Sequence, residues 1–523
     1  MAQSFDPIEM EVFKNLFTSI SEEMAAVLNR TAFSPNIKER KDFSCALFNH
    51  KGETFAQGSH IPVHLGAMPL SVQAALKACD FEKDDLVVLN DPYRGGTHLP
   101  DVTCISPVFL KNSLHFFVAN RAHHSDIGGM TPGSMPLATE IFQEGLIIPP
   151  LKLIKKGQLQ EDILELILTN VRTREERRGD LLAQMASNEK GKQRLEEVVK
   201  KHGLEKVIRY GKLIQDYTEN ILRKTITSIP DGNYFFADFM DDDGIDDRPI
   251  KISAAVSIKG DEAVIDFSGS SPQVKGGVNA NFAVTLSAVL YVFRSLVEED
   301  IPFNTGLIRP LTIKAPPGCV VNALYPAATA GGNVETSQRI VDVLLGALAQ
   351  AVPEKIPAAS SGTMNNIAFG GRHPGTGKNF AYYETIGGGM GATAISDGIS
   401  GVHTHMTNSL NTPLEALENY LPLRITKYSL RKGSGGKGKH NGGDGIIRSF
   451  QFLSPTQVTV ISERRKFCPF GLQGGNPGKK GKNIIISGGR KKTLGSKVNI
   501  MADAGDILQI ETPGGGGYGC KKN

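Results

Sequence analysis

Hydrophobic and polar positions follow a helical spacing at the start of the chain. Asp6 is a suitable N-cap, Pro7 suits a first helical turn, and Glu9 stands where a capping box needs a carboxylate. Apolar residues then recur three or four positions apart, at Ile8, Val12, Phe13, Leu16, Phe17 and Ile20. This pattern predicts an amphipathic helix that packs against the core.

Short apolar runs broken by glycine and proline come next and are typical of strands. They are Ser44–Phe48, Leu86–Leu89, Thr103–Phe109 and Leu114–Ala119. The polar segments between them carry most of the histidines and aspartates. Since a rigid sheet holds its loops in fixed positions, functional side chains are expected there.

Residues 160–226 have a different pattern, rich in charge and in apolar residues at helical spacings. The segments with this spacing are Glu161–Ile167, Arg177–Met185, Lys192–Lys200 and Leu204–Arg223. We expect a helical hairpin or small bundle that acts as a structural arm or partner surface and not as a catalytic element.

From Asp231 onward the pattern favours strands, with one buried helix expected over Thr336–Val352. The expected strands lie at Gly232–Met240, Ile252–Phe267, Gln457–Ser462, Asn483–Ile486 and Ile507–Glu511. The acidic run Asp241–Asp247 lacks the spacing of a calcium loop, so an exposed turn is expected there.

These elements predict a multi-domain α+β protein (mixed α/β). The expected divisions are an N-terminal mixed domain over 1–155, a helical insertion over 156–228, a central α/β domain over 229–428 and a β-rich domain over 429–523. The β-rich C-terminal half is expected to close over a site on the N-terminal domain.

Composition narrows the functional class. The net charge of +4 is too small to indicate a nucleic-acid partner, and no apolar run reaches the roughly 20 residues that cross a bilayer. The six cysteines are scattered without a CxxC pair, which favours reduced thiols. With no signal-peptide pattern at Met1 to Pro7, we expect a cytoplasmic protein.

The chemistry is concentrated in two segments, NDPYRGGTHLPD from Asn90 and NRAHHSDIGG from Asn120. They carry five candidate ligands, which are His98, Asp101, His123, His124 and Asp126. If the run between the two segments is a hairpin, His123 returns to the edge of the sheet that carries His98 and Asp101. Two imidazoles and a carboxylate suit catalytic Zn²⁺, Mn²⁺ or Fe²⁺. The flanking Gly-Gly pairs at 95–96 and 128–129 are expected to leave room for a ligand.

Other polar residues are candidates for the same pocket. Glu39, Arg40 and Asp42 precede a strand and are candidates for binding substrate, and His60 and His64 lie in the next loop. Taken singly, an ordinary surface ion pair is the better explanation for each of them.

Three glycine-rich segments, at 386–392, 434–443 and 513–519, lack the spacing of a phosphate-binding loop. Glycine-permitted turns are expected instead. The chain therefore has no visible nucleotide site of its own.

Ten ordered blocks of the chain resemble the hydantoinase B/oxoprolinase family. They are ERKDFSCALF (39–48), HIPVHLGAM (60–68), NDPYRGGTHLPDVT (90–103), RAHHSDIGGMTPGSMP (121–136), QEGLIIPP (143–150), AGGNVETSQRIVD (330–342), NNIAFGG (365–371), GGGMGA (387–392), HTHMTNSLNTPLEALE (403–418) and SGGKGKHNGGDG (434–445). The blocks run across nearly the whole chain, so the resemblance is specific.

The resemblance implies one subunit, or one fused half, of an ATP-dependent hydrolase that opens hydantoins, 5-oxoproline or related lactams. The implied partner is a hydantoinase A-like ATPase subunit, which resembles actin and hexokinase and would bind ATP and Mg²⁺. In the carboxylase branch of the family, a His, an Asp three residues later and a downstream His bind the metal. These positions match His98, Asp101 and His123.

The expected mechanism begins with phosphorylation of the amide oxygen by the partner, after which the metal centre of this chain hydrolyses the activated substrate. His124 or Asp126 is expected to act as general base or to orient a ligand, and Arg121 to meet the phosphate. Two alternatives stay open: a metal-containing subunit of an ATP-dependent ketone carboxylase, and a non-catalytic scaffold for the ATPase.

Overall fold

A computed structural model describes residues 6–520. Residues 1–5, most of the segment in which a signal peptide was sought, lie outside this range. The first helix forms as expected, because Asp6 accepts hydrogen bonds from the backbone N–H groups of Ile8 and Glu9. Glu9 does not complete a capping box; its carboxylate meets Lys206 and Tyr210.

The N-terminal part combines a seven-stranded sheet with six helices. In chain order the elements are α1 (Pro7–Thr31), α2 (Pro35–Lys38), β1 (Phe43–Asn49), β2 (Thr54–Gln57), α3 (Ala67–Ala78), β3 (Leu86–Leu89), β4 (Asp101–Leu110), β5 (Ser113–His123), β6 (Leu151–Lys155), β7 (Gln158–Leu159), α4 (Glu161–Thr169), α5 (Arg174–His202) and α6 (Leu204–Thr227). The strand order is β2-β1-β5-β4-β3-β6-β7.

Helices cover both faces of this sheet. On one face α3 packs over Phe48, Ile105 and Phe117, and on the other α1 and α5 pack over Leu47 and Val118. Alternate residues of a strand point to opposite faces, so each strand serves both cores. The expectation that residues 160–226 form an arm is wrong, because α5 is a single continuous helix against the sheet that carries the candidate ligands.

The middle of the chain builds a four-stranded sheet against two buried helices. Its elements are β8 (Gly232–Met240), β9 (Ile250–Lys259), β10 (Glu262–Asp266), α7 (Phe282–Ser295), β11 (Leu311–Lys314) and α8 (Ser337–Leu348), with strand order β11-β10-β9-β8. One turn of π-helix, Gly332–Thr336, leads into α8. Such turns occur frequently at functional sites.

The last part is β-rich, as expected, with one helix among nine strands in the described residues. Its elements are β12 (Asn366–Arg372), β13 (Asn379–Glu384), α9 (Leu414–Tyr420), β14 (Leu423–Arg431), β15 (Gly445–Phe452), β16 (Thr456–Ile461), β17 (Lys482–Ser487), β18 (Arg490–Leu494), β19 (Lys497–Ala502) and β20 (Ile507–Glu511). They form sheets of order β13-β12-β16-β19 and β14-β15-β20-β17-β18. The structure is thus a mixed helix-and-sheet, multi-domain fold, and the four domain boundaries stay a prediction.

The acidic run Asp241–Asp247 corrects one expectation, because its first three residues are buried. Asp241 accepts hydrogen bonds from the backbone N–H groups of Arg465 and Lys466, and Asp243 accepts one from Gly276. Carboxylates that accept several backbone N–H groups lose less free energy on burial. The first three residues of the run therefore join the middle sheet to the C-terminal part, whereas Ile245 and Asp247 face solvent.

Within residues 6–520, no helix is both long enough and apolar enough to pass through a lipid bilayer. The six cysteines all lie within the described residues and are free.

Candidate metal centre

The hairpin β4–β5 brings the predicted ligands together. Asp101, the first residue of β4, lies directly opposite His123, the last residue of β5. Side chains opposite each other in an antiparallel pair share a face of the sheet and stand about 5 Å apart. His98 lies in the turn just before β4. The expectation that the hairpin returns His123 to this edge is confirmed, although Asp101 and His123 end strands and are not in loops.

The three side chains form a compact group that could hold a metal ion, with one ligand atom from each within 4.8 Å of the others. His98 Nε2 lies 3.4 Å from Asp101 Oδ2 and 3.3 Å from His123 Nδ1. His123 Nδ1 lies 3.4 Å from Asp101 Oδ1. All three side chains are buried.

A third histidine lies close to the same carboxylate. His64 Nε2 is 3.3 Å from Asp101 Oδ2, and its Nδ1 is 2.9 Å from the Ser44 hydroxyl oxygen. The Thr97 hydroxyl donates a hydrogen bond to Asp101 Oδ2. Such neighbours fix the orientation of a ligand and its tautomer. In the sequence, the HIPVHLGAM block indicated that His64 belongs to the pocket. It did not indicate the contact between His64 and Asp101.

Electrostatics at the centre favour a cation. Burial by itself would raise the pKa of Asp101, yet the adjacent imidazoles of His98 and His64 hold that pKa well below its usual range. Burial lowers the pKa of His123, which leaves the neutral imidazole that binds metals. A buried carboxylate is normally paired with a cation or bound to a metal.

Distant segments close the centre from the other side. Asn333 of the π-helical turn, Tyr383 of β13 and Thr407 line the same small cavity as Asp101 and His123, with a volume of about 20 Å³. That is enough space for one water-sized species. The Tyr383 ring stacks on His123 with ring centres 4.4 Å apart. In the sequence, only the family blocks at 330–342 and 403–418, which contain Asn333 and Thr407, pointed to this wall of the cavity.

The residues present fit a divalent metal. Two nitrogen atoms and a carboxylate converge, the carboxylate is charged, and the cavity leaves room for one further ligand. This donor set suits Zn²⁺, Mn²⁺ and Fe²⁺.

The glycine pairs that flank the candidate ligands were expected to leave room for a bound ligand, but the structure gives them a different role. A side chain at Gly95 would overlap the backbone of Leu70, and one at Gly129 would overlap the backbone of Glu144. Both glycines have positive φ angles, 85° and 83°. They therefore allow close packing of the chain on itself and do not leave space for a ligand.

Arg121 lies two residues before His123 on the same face of β5. Its Nε donates to the Thr103 hydroxyl at 2.8 Å, and its Nη2 donates to the Ser71 hydroxyl at 2.7 Å. Burial lowers its pKa to about 10, so it stays cationic at neutral pH. Its Nη1 makes no hydrogen bond to any described residue.

His124 and Asp126 do not join the metal ligands. His124 Nε2 lies 2.9 Å from the Gln184 side-chain oxygen of α5, on the other face of the sheet. Burial, reinforced by Arg177, lowers the pKa of His124 to about 4. Asp126 accepts hydrogen bonds from the backbone N–H groups of Gly128 and Gly133 and from Arg172. Their predicted catalytic roles stay predictions, and their contacts are those of residues that shape the loop.

The three predicted substrate residues lie in different surroundings. Asp42 lines the cavity at the metal ligands, and its backbone carbonyl accepts a hydrogen bond from His123. Arg40 is fully buried and donates to the Tyr383 carbonyl and the Thr385 hydroxyl, which joins the N-terminal part to β13. Glu39 is half-buried. A role in binding substrate stays a prediction for all three.

Comparison with known proteins assigns the chain to a family. The model of the hydantoinase B/oxoprolinase family matches residues 6–521. The chain belongs to this family. The family resemblance found in the sequence blocks is thereby confirmed.

Two relatives illustrate the range of the hydantoinase B/oxoprolinase family. An uncharacterised protein of Methanocaldococcus jannaschii is 42% identical over 98% of this chain and 91% of its own length. A putative D-/L-hydantoinase subunit of a Pseudomonas species is 32% identical over 99% of this chain and 90% of its own length.

Other relatives are longer. 5-Oxoprolinase 1 of Arabidopsis thaliana is 41% identical over 98% of this chain, which spans only 42% of that protein. The chain thus spans about two fifths of the length of the 5-oxoprolinases that it matches.

Two solved structures share the fold. The ATP-dependent caprolactamase of Pseudomonas jessenii superposes with a TM-score of 0.91 at 28% identity, covering 99% of this chain and 92% of that one. An acetone carboxylase chain superposes with a TM-score of 0.92 at 20% identity, covering 98% of this chain and 76% of that one. At this lower identity the second likeness shows the fold alone.

Proposed function

We propose that this chain is the metal-bearing subunit of an ATP-dependent cyclic-amide hydrolase. The substrate class is hydantoin, 5-oxoproline or a related lactam. The single observation that carries the proposal is the buried group of His98, Asp101 and His123, in which two nitrogens and a charged carboxylate converge on one point. A scaffold without chemistry has no need of such a group.

The names of the relatives support the substrate class. 5-Oxoprolinases, a putative hydantoinase subunit and an ATP-dependent caprolactamase all carry the name of a cyclic amide. Because the Pseudomonas relative is named as one subunit of a hydantoinase, a hetero-oligomer is supported as well. Since the sequence contains no phosphate-binding loop, ATP and Mg²⁺ are assigned to a hydantoinase A-like ATPase partner in the cytoplasm.

The chemistry of the substrate explains why ATP is needed. A ring amide is stabilised by resonance and resists attack by water at neutral pH. Transfer of a phosphoryl group to its oxygen removes this resonance, so that water adds to the ring carbon. The C–N bond then breaks, the ring nitrogen takes up a proton, and a second water hydrolyses the resulting acyl phosphate to carboxylate and phosphate. His98, Asp101 and His123 would hold a divalent metal, which would supply Lewis acidity for the addition of water.

The residues of this chain hold and shield the reacting groups. Asp101 provides the negative charge for the cation, and the Tyr383 ring covers His123 and excludes bulk water. Arg121 is buried and cationic, and both N–H groups of its Nη1 are free to donate, which suits it to meet a phosphate oxygen. Asp42 lines the cavity as a substrate contact. His124 and Asp126 hold the loop that follows β5.

The experiment uses the chain with its ATPase partner. Metal content is measured by mass spectrometry, and ring opening and phosphate release are followed with hydantoin, 5-oxoproline and caprolactam. Asp101→Asn should lose bound metal and ATP-coupled ring opening, because the amide carries no charge to hold the cation. Asp162→Asn, at an exposed position of α4, is the matched control.

Normal turnover by a metal-free Asp101→Asn complex would overturn the proposal. A complex that consumes a ketone and bicarbonate, but no cyclic amide, would move the chain to the carboxylase alternative. The same metal analysis decides between Zn²⁺, Mn²⁺ and Fe²⁺.

A further inference from the structure

A second, larger cavity lies beside the metal centre. Its volume is about 470 Å³, within the range of small-molecule sites. Thr407 lines both this cavity and the small one at the metal ligands. Pro62 lines the larger cavity, while its chain neighbours Ile61 and Val63 line the smaller one. The two cavities therefore share parts of their walls, at segments 61–63 and 406–407.

His403 is the polar side chain that makes this cavity unusual. Both of its ring nitrogens are shielded from solvent, and neither has a hydrogen-bond partner among residues 6–520. Burial, helped by the charge of Arg40, lowers the pKa of His403 to about 3, so the ring is neutral. A neutral imidazole offers one donor and one acceptor. Leaving both unused costs free energy that a ligand would recover.

The backbone of the same segment is held in a strained form. His405 has a φ angle of 59°, a conformation that residues other than glycine rarely adopt. Its Nδ1 lies 3.4 Å from the Tyr291 hydroxyl, and its Nε2 lies 3.9 Å from a carboxylate oxygen of Asp342. Strain of this kind clusters at binding sites, where the surrounding structure maintains it. Here it turns the 403–408 segment along the cavity.

The rest of the wall suits an uncharged ring. Leu296, Ile356 and Pro357 supply apolar surface, and Ser360 accepts a hydrogen bond from the Gly391 N–H, which leaves its own hydroxyl hydrogen free to donate. Among the described residues that line the cavity, Lys355 is the only formally charged one, and it is paired with Glu298 at 3.1 Å.

We propose that this cavity binds the ring of a neutral cyclic amide, with His403 hydrogen-bonding to the amide edge of the ring. The amide of a small ring is cis, so its C=O and N–H groups lie side by side and present an acceptor and a donor together. The neutral His403 imidazole and the Ser360 hydroxyl match that edge, and the apolar wall takes the ring methylenes. This inference deepens the proposed function by placing its substrate.

Binding and turnover are tested separately. Saturation-transfer NMR on the full chain measures binding of 2-pyrrolidinone, a neutral lactam, and of 5-oxoproline, which adds one carboxylate. His403→Leu should reduce binding of 2-pyrrolidinone about tenfold, which corresponds to one lost neutral hydrogen bond. His403→Asn, which keeps a donor and an acceptor, should recover part of the loss. In the complex with the ATPase partner, KM should rise by a similar factor while metal content stays unchanged.

His50→Leu, at an exposed histidine between β1 and β2, is the matched control. Equal binding by wild type and His403→Leu, with folding and metal content intact, would overturn the inference. Selective binding of 5-oxoproline that Lys355→Met abolishes would overturn it too, since the cavity would then recognise a carboxylate. If the lactam binds through His403 but no cyclic amide is turned over, the inference survives and the proposed function fails.

Discussion

His123 and His124 are consecutive in the chain, yet they lie on opposite faces of the sheet and in different chemical environments. On the face of His123, nitrogen and oxygen atoms from His98 and Asp101 converge at 3.3 to 3.4 Å. On the face of His124, the partner is Gln184, and Asp126 beyond it accepts hydrogen bonds from backbone N–H groups and Arg172.

The difference teaches that residue type alone does not mark a ligand. Both faces hold histidine and aspartate, and both are buried. On the face of His123, ligand atoms from three side chains converge on one point that could hold a metal ion. On the other face, each carboxylate oxygen of Asp126 accepts hydrogen bonds from the protein itself, so the polar residues there have a structural role.

The largest expected effect comes from replacing each of the two neighbouring histidines with alanine in turn. His123→Ala should remove both bound metal and ATP-coupled turnover, because one of three ligands is gone. His124→Ala should retain metal in the folded protein, because its ring faces α5. Metal per folded chain, with folding checked by circular dichroism, is the measurement. A His124→Ala protein that folds but holds no metal would break the comparison, and one that holds metal but is inactive would support a catalytic role for His124.

Asp126→Ala tests the second face through stability. The substitution leaves the N–H groups of Gly128 and Gly133 and the Arg172 side chain without their acceptor. The free energy of unfolding in urea should fall by about 3 kcal/mol, the cost of several buried groups left unpaired. Metal content per folded chain should not change. Loss of turnover at unchanged stability would instead place Asp126 in the chemistry.

The smallest expected effect is at His64, which touches Asp101 without belonging to the ligand group. His64→Gln should weaken metal binding about tenfold, the usual effect of losing a residue that orients a ligand. Competition with a chelator measures the change. An unaltered affinity would show that His64 does not orient Asp101, and complete metal loss would show that it is itself a ligand.

Local patterns in the sequence were enough for much of the secondary structure. The spacing predicted α1, the hairpin β4–β5 and strands such as β8 and β20, because each is specified by capping residues or by alternation along a few residues. The burial of Asp241 at the start of the acidic run could not be predicted, because its hydrogen-bond partners are backbone groups more than 200 positions away, as at Arg465.

For the candidate metal site, the residue pattern gave five possible ligands, and the family resemblance singled out His98, Asp101 and His123 among them. Asp101 and His123 are paired in one hairpin and His98 lies three residues before its first strand, so their convergence follows from strand register and a short turn. Asn333, Tyr383 and Thr407 were not predictable as neighbours of the site, since they arrive from three distant segments.

The sequence by itself determined the family, the mixed fold and the three residues that could hold a metal, because these depend on short motifs and local periodicity. Only the tertiary structure decided which face of the sheet each polar residue occupies and where the walls of the site come from. It also showed that glycines such as Gly389, Gly443 and Gly515 bring their three segments into backbone contact. Packing between segments hundreds of positions apart is set by shape and burial, which no local pattern records.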